Sequence, residues 1–161
     1  MSILKFENRT PRDIEEMYNY MIDENKTNES LIFGLGVNPL NAIAEMKFVQ
    51  YVYGRYNLMH KYKQVIFSFD VGIELLPEII MEVCVRIGQA LVLDKRQVFG
   101  AIHGIGTGYV HCHYMINYVG IDGSLLRQEY SVIYYKRKVN KILSDYGLTS
   151  IVFYSDYYEI V

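Results

Sequence analysis

The chain has 161 residues, a net charge of −2, 51% hydrophobic residues and three prolines, which fits one folded domain over residues 1–161. This balance excludes a globally basic nucleic-acid binder, so any DNA contact must come from a local patch. No apolar run reaches the length of a membrane span, the N-terminus has no signal-peptide pattern, and Cys84 and Cys112 form neither a zinc pattern nor a disulfide framework. A reduced, cytoplasmic setting without membrane contact is expected.

Residues 2–6 predict a short strand. Thr10 as N-cap and Pro11 at the first helical position open a helix through Ile14, Met17, Tyr18 and Met21 that ends near Asn25. Residues 31–37 form a second strand, and Asn38-Pro39 starts a helix whose broad apolar face includes Ile43, Met46 and Val52. Residues 64–70 are rich in β-branched and aromatic side chains and predict a strand. A long helix follows from Pro77 through Ile80, Val83, Ile87 and Leu91, with Cys84 on its apolar face. Two strands around residues 98–103 and 111–117 come next. A last helix is expected over 124–146, stopped by Gly147, and a last strand over 151–154. This order predicts an α/β two-layer sandwich. Its central sheet is largely antiparallel, with a His-x-His hairpin near the middle and helices packed on it.

Three of the four histidines fall between positions 103 and 113. His111 and His113 are two apart, so on a strand both imidazoles project from one face, while Cys112 points the other way into the core. Gly104, Gly106 and Gly108 suit a turn that returns the chain, which brings His103 opposite the pair. Three converging imidazoles can hold one divalent metal and leave positions open for substrate. Asn117 shares the face of His111 and His113 by period two. It either orients a ligand histidine or is an ordinary hydrogen-bonded strand residue. His60 is expected on the surface.

His111-Cys-His113, with a histidine before it and Asn117 after it, resembles the histidine–hydrophobe–histidine motif of single-strand DNA endonucleases that use tyrosine as nucleophile. The arrangement is similar to the relaxase, or mobilisation-nuclease, branch, whose fold is a relaxase/RRM-like palm. Other segments agree in order: Tyr20 on a helix shortly before Lys26-Thr27, the helix from Asn41, Ser68-Phe69 on a strand, Gly120-Ile-Asp-Gly123, and Tyr146-Gly147-Leu148. Three features depart from the family pattern. The strand turn Phe69-Asp70-Val-Gly72-Ile73-Glu74 only approximates the usual Ser-Phe-x-x-Gly-Glu. The segment after His103 lacks the usual acidic residue, and no helicase, primase or coupling segment follows, so a relaxase domain alone is expected.

The resemblance implies a metal-dependent strand transferase, using Mg2+ or Mn2+, that nicks single-stranded origin-of-transfer DNA with or without a hairpin. It also implies accessory mobilisation proteins as partners. It assigns Tyr20 as nucleophile and His103, His111 and His113 as metal ligands. Lys26 lies near a phosphate or is a solvated loop lysine, and Ser68 contacts a phosphate or is a structural hydroxyl. Tyr135 has the Tyr-x-x-Lys spacing of rolling-circle replication initiators, which keeps that chemistry open with Tyr135 as nucleophile. Lys136, Arg137 and Lys138, with Arg127 and Lys141, form a candidate phosphate-binding patch. A relaxase-like DNA-binding module without cleavage is the third reading.

Overall fold

A computed structural model describes residues 1–7, 12–92, 95–127 and 131–152. Strands β1 (Ile3–Phe6), β2 (Ile32–Leu35), β3 (Tyr62–Ser68), β4 (Val98–His103) and β5 (His111–Asn117) form one sheet in the order β1-β3-β5-β4-β2. Every neighbouring pair is antiparallel, and the histidine strand β5 lies in the centre. The helices are α1 (Ile14–Met21), α2 (Ala42–Val52), α3 (Pro77–Val92) and α4 (Val132–Asp145). The expected α/β architecture around an antiparallel sheet with the histidine hairpin near its middle is present.

Period-two alternation sorts the strand residues between two cores. On one face Val65, Phe67, Ile102, Cys112 and Tyr114 pack against Ile80, Val83, Cys84 and Ile87 of α3 and Tyr135, Val139 and Leu143 of α4. On the other, Tyr62, Phe99, Ala101 and Met115 pack under Ile14, Met17 and Met21 of α1 and Ala42 and Met46 of α2. Helices therefore cover both faces, which makes three layers where two were expected, because both strand faces are apolar; α1 with α2 lies on the face that carries the histidines. Cys84 and Cys112 are free and buried in the first core, as their positions on the apolar faces predict.

The element ends differ from expectation for local reasons. Thr10 and Pro11 lie outside the described residues, and Asp13 caps α1 by accepting from Glu16 N at 2.8 Å. The helix stops at Met21, not near Asn25. Asp23 closes its own turn there, its carbonyl accepting from Lys26 N at 2.8 Å and its carboxylate from Asn25 N at 3.0 Å. Asn38 caps a 3-10 turn, Pro39–Asn41, ahead of α2. The last helix begins at Val132, capped by Ser131, well after residue 124. Residues 124–127 are held extended instead: Leu126 N donates to Tyr118 O at 2.8 Å, and Arg96 Nη1 donates to Ser124 O at 3.0 Å. Gly147 ends α4 as expected, at φ +66°, with Leu148 N donating to Leu143 O at 2.9 Å. Ile151 forms a single parallel bridge to Ser2, and residues 153 and 154 lie outside the described set. No helix among the described residues is long and apolar enough to cross a membrane.

Candidate active site

The β4–β5 register places His103 opposite His111 and Ala101 opposite His113, so all three imidazoles stand on the α1/α2 face. The turn between the strands depends on Gly104, at φ +77°, where a Cβ would lie 2.4 Å from Tyr109 O. Thr107 N and Thr107 Oγ1 both donate to Gly104 O, which ties the loop shut beside His103. The ring centroids of His103 and His113 are 4.7 Å apart, and His111 lies 5.4 and 5.0 Å from them. One ring nitrogen from each histidine lies within 4.8 Å of the others.

The remaining ring nitrogens are tied outward. His103 Nε2–H donates to Met21 O at 2.8 Å, and His111 Nδ1–H donates to Tyr109 O at 3.0 Å. Gln64 Nε2 stands 3.2 Å from His113 Nδ1. With that amide nitrogen toward the ring, the imidazole proton sits on Nε2. A half-turn of the amide presents the oxygen, Nδ1–H donates to it, and Nε2 is free to bind an ion. His113 Nε2 is buried with no hydrogen-bond partner. Burial, together with the positive forms of His103, His111 and Lys26, depresses the His113 pKa to about 3. Burial likewise lowers that of His103, opposed by its bond to Met21 O. Both rings are therefore neutral at pH 7, the form that binds metal. Outward-tied nitrogens, neutral rings and an orphaned inner nitrogen fit a divalent ion.

Tyr20, near the end of α1, stands edge-on to His113 at a centroid distance of 5.4 Å and to His103 at 5.9 Å. Lys26 Nζ lies 3.8 Å from the Tyr20 ring centroid and Arg12 Cζ 4.4 Å. Tyr18, two residues earlier, turns away: its hydroxyl donates to Pro39 O at 3.0 Å and its ring packs on Phe99. An open cleft of about 530 Å3 is lined by Tyr20, Lys26, Thr27, His103, Thr107 and His111, among others. Ser68 pairs with His111 across the β3–β5 ladder, on the same face.

Other expected site residues are elsewhere. Asn117 is fully buried, and among the described residues its hydrogen bonds go to none of the histidines. It accepts from Gln50 Nε2 at 2.9 Å and donates to Gln97 Oε1 at 2.9 Å and Met46 O at 3.2 Å. Its place on the histidine face puts it four residues further along β5, over α2, and Gln64 takes the position beside His113. Asn117→Leu should thus cost about 2–4 kcal/mol by leaving buried partners unsatisfied. A lower urea midpoint with an unchanged response to added Zn2+ is the expected pair of results. Tyr135 is buried on the opposite face of the sheet, its ring 5.6 Å from Phe6, which removes it from the histidine centre. Lys136, Arg137 and Lys138 lie on α4, the helix covering that far face, so this basic group is not part of the cleft. His60 is exposed, as expected.

Gln64 and Arg12 are the residues that sequence reasoning missed. Gln64 could have been found, because a polar residue four before Ser68 on one strand shares its face. Arg12 carries no local signal.

A family profile for relaxases, described as MobA/VirD2-like nuclease domain, matches residues 14–148. The chain belongs to the relaxase family. No curated protein matches it. Relaxase domains bind single-stranded DNA, nick it, and generally depend on a divalent metal. The His103, His111 and His113 cluster is where this relaxase could hold such an ion.

Proposed function

We propose that this relaxase nicks single-stranded origin-of-transfer DNA during mobilisation of a plasmid or mobile element, with Tyr20 as the nucleophile. The observation that carries the reading is the edge-on placement of the Tyr20 ring against two of the three clustered histidines. Tyr20 Oη attacks the scissile phosphorus, the bond from phosphorus to the 3′ oxygen breaks, and a 3′-hydroxyl leaves. The DNA's 5′ end stays on the protein as a phosphotyrosine, which conserves the bond energy for rejoining. His103, His111 and His113 would hold a divalent ion, which when bound would supply Lewis acidity to the scissile phosphate. Of Mg2+ and Mn2+, the three imidazoles favour Mn2+, because Mg2+ prefers oxygen donors. Lys26 and Arg12 bring positive charge to the side of the nucleophile where phosphate charge develops. Ser68, beside His111, offers a hydroxyl to the same phosphate. The protein acts in the cytoplasm, with accessory mobilisation proteins as partners and a hairpin beside the nick as an optional recognition element.

The polarity of the reaction tests this. Incubation with Mn2+ and a 3′-labelled oligonucleotide carrying the cognate transfer origin should give a labelled protein band on a denaturing gel. The same oligonucleotide labelled at its 5′ end should give a shorter free product. Label retained on the protein from the 5′ end would contradict the proposed chemistry. A mobility shift without any covalent band would make the chain a binding module.

A further inference from the structure

From Met46 to Phe69 the sequence contains Lys47, Arg55, His60, Lys61 and Lys63 but no Asp or Glu, in a chain whose net charge is −2. The same stretch holds an unusual share of exposed aromatic surface: Phe48 is 66% exposed, Tyr51 70%, Tyr53 42% and Tyr56 51%. These residues follow the outer side of α2 and the turn after it, while Ala42, Met46 and Gln50 face the sheet. The Tyr51 and Tyr56 rings lie 5.9 Å apart, inclined by 35°. Tyr53 is fixed by its hydroxyl, which donates to Ile121 O at 2.7 Å. Gln50 Nε2 donates to Lys61 O at 3.0 Å, which holds the Lys61 backbone against α2. Lys47 is paired with Glu15 of α1, so the cation offered beside the rings is Arg55, between Tyr53 and Tyr56 in the turn. Lys61 and Lys63 alternate with Tyr62, which packs on the histidine face, and so belong to the other face of the sheet.

We propose that Tyr51, Tyr53 and Tyr56, with Arg55, form a second single-stranded DNA surface that stacks bases of the strand running away from the nick. Exposed, closely spaced tyrosine rings beside an arginine suit a flexible, negatively charged polymer whose bases present π faces. The surface lies on the histidine face of the molecule. Gln50, beneath it, bonds to Asn117, four residues along β5 from His113, or roughly 14 Å. A strand leaving the cleft covers that separation in a few nucleotides, within the roughly 4–16 that a single-strand groove engages. The proposal rests on the domain's single-strand binding, and it is read separately from nicking.

The test is fluorescence anisotropy of a labelled oligo-deoxythymidine with the Tyr20→Phe chain, which binds without turnover. Tyr51→Ala with Tyr56→Ala should weaken binding by roughly fivefold to a hundredfold for each ring, while Tyr51→Phe with Tyr56→Phe should stay within about twofold of the parent. Arg55→Gln should reduce the slope of log affinity against log salt by about 0.7. The exposed positions allow these variants to fold, checked by an unchanged melting temperature. Unchanged affinity in the alanine pair, or equal loss in the phenylalanine pair, would overturn the proposal. So would a change in sedimentation with DNA binding intact, which would give the surface to a protein partner. Loss of covalent attachment in the native chain with oligo-deoxythymidine binding retained would count against the nicking reading and leave this surface standing.

Discussion

Tyr20→Phe is expected to reduce covalent DNA attachment by a factor of roughly 10^4 or more, as removal of an attacking atom does. The variant keeps the ring and so keeps its edge contacts with His103 and His113 and the Lys26 and Arg12 side chains over its face. Stability should therefore change by about 1 kcal/mol or less, and single-strand affinity should persist. Two controls separate this from a general effect of losing a hydroxyl. Tyr18→Phe removes the bond to Pro39 O and should cost about 1 kcal/mol of stability while leaving attachment intact. Tyr135→Phe should also leave attachment intact, because that ring is buried under α4 on the far face. Attachment that survives Tyr20→Phe and disappears with either control would transfer the nucleophile's role.

His113→Gln is expected to abolish the thermal stabilisation that a divalent ion gives the native chain. An ion at a hundred times its dissociation constant stabilises by about 2.7 kcal/mol, and a site stripped of one of its three imidazoles should lose most of that. The measurement is the melting temperature with and without Mn2+ or Zn2+, and it needs no DNA. The same substitution should change the acid behaviour of the metal-free protein. His113 titrates near 3 when folded against an ordinary 6.5, so below 6.5 the unfolded chain binds a proton that the folded chain does not. Its contribution is intact above pH 6.5 and is lost as pH falls toward 3, at somewhat over 1 kcal/mol per pH unit. His103 shifts in the same direction. Between pH 6.5 and about 4.5, where most carboxylates are still ionised, His113→Gln should flatten the fall in stability with chelator present. Identical pH profiles for the two proteins would show that His113 is not buried neutral.

Local periodicity made much of the site readable. Two residues apart on a strand must share a face, so His111 and His113 were bound to project together and Cys112 to enter the opposite core. Glycines at positions that need positive φ marked the turn that returns His103. The motif order carried the family. Element ends were less legible, because the groups that decide them are distant or unpatterned. Arg96 reaching Ser124 O, for example, holds the chain at residue 124 out of a helix.

What period two cannot say is which helix covers which face, or which strands become neighbours. Pairing of β3 between β1 and β5 brings Gln64 and Ser68 beside the histidines, and no local pattern specifies that order. The packing of α1 and α2 on the histidine face puts the Tyr20 ring, and not that of Tyr18 or Tyr135, beside the histidines. The packing of α4 on the other face removes Lys136, Arg137 and Lys138 from the cleft. Asn117, correctly assigned to the histidine face, is claimed by Gln50 and Gln97 because α2 lies over that end of β5. The amino-acid sequence alone thus determined the elements, the shared face of His111 and His113 and the family. Long-range pairing and the burial of two separate apolar faces decided which tyrosine and which cations stand around the clustered histidines, because these depend on contacts between segments that no local pattern couples.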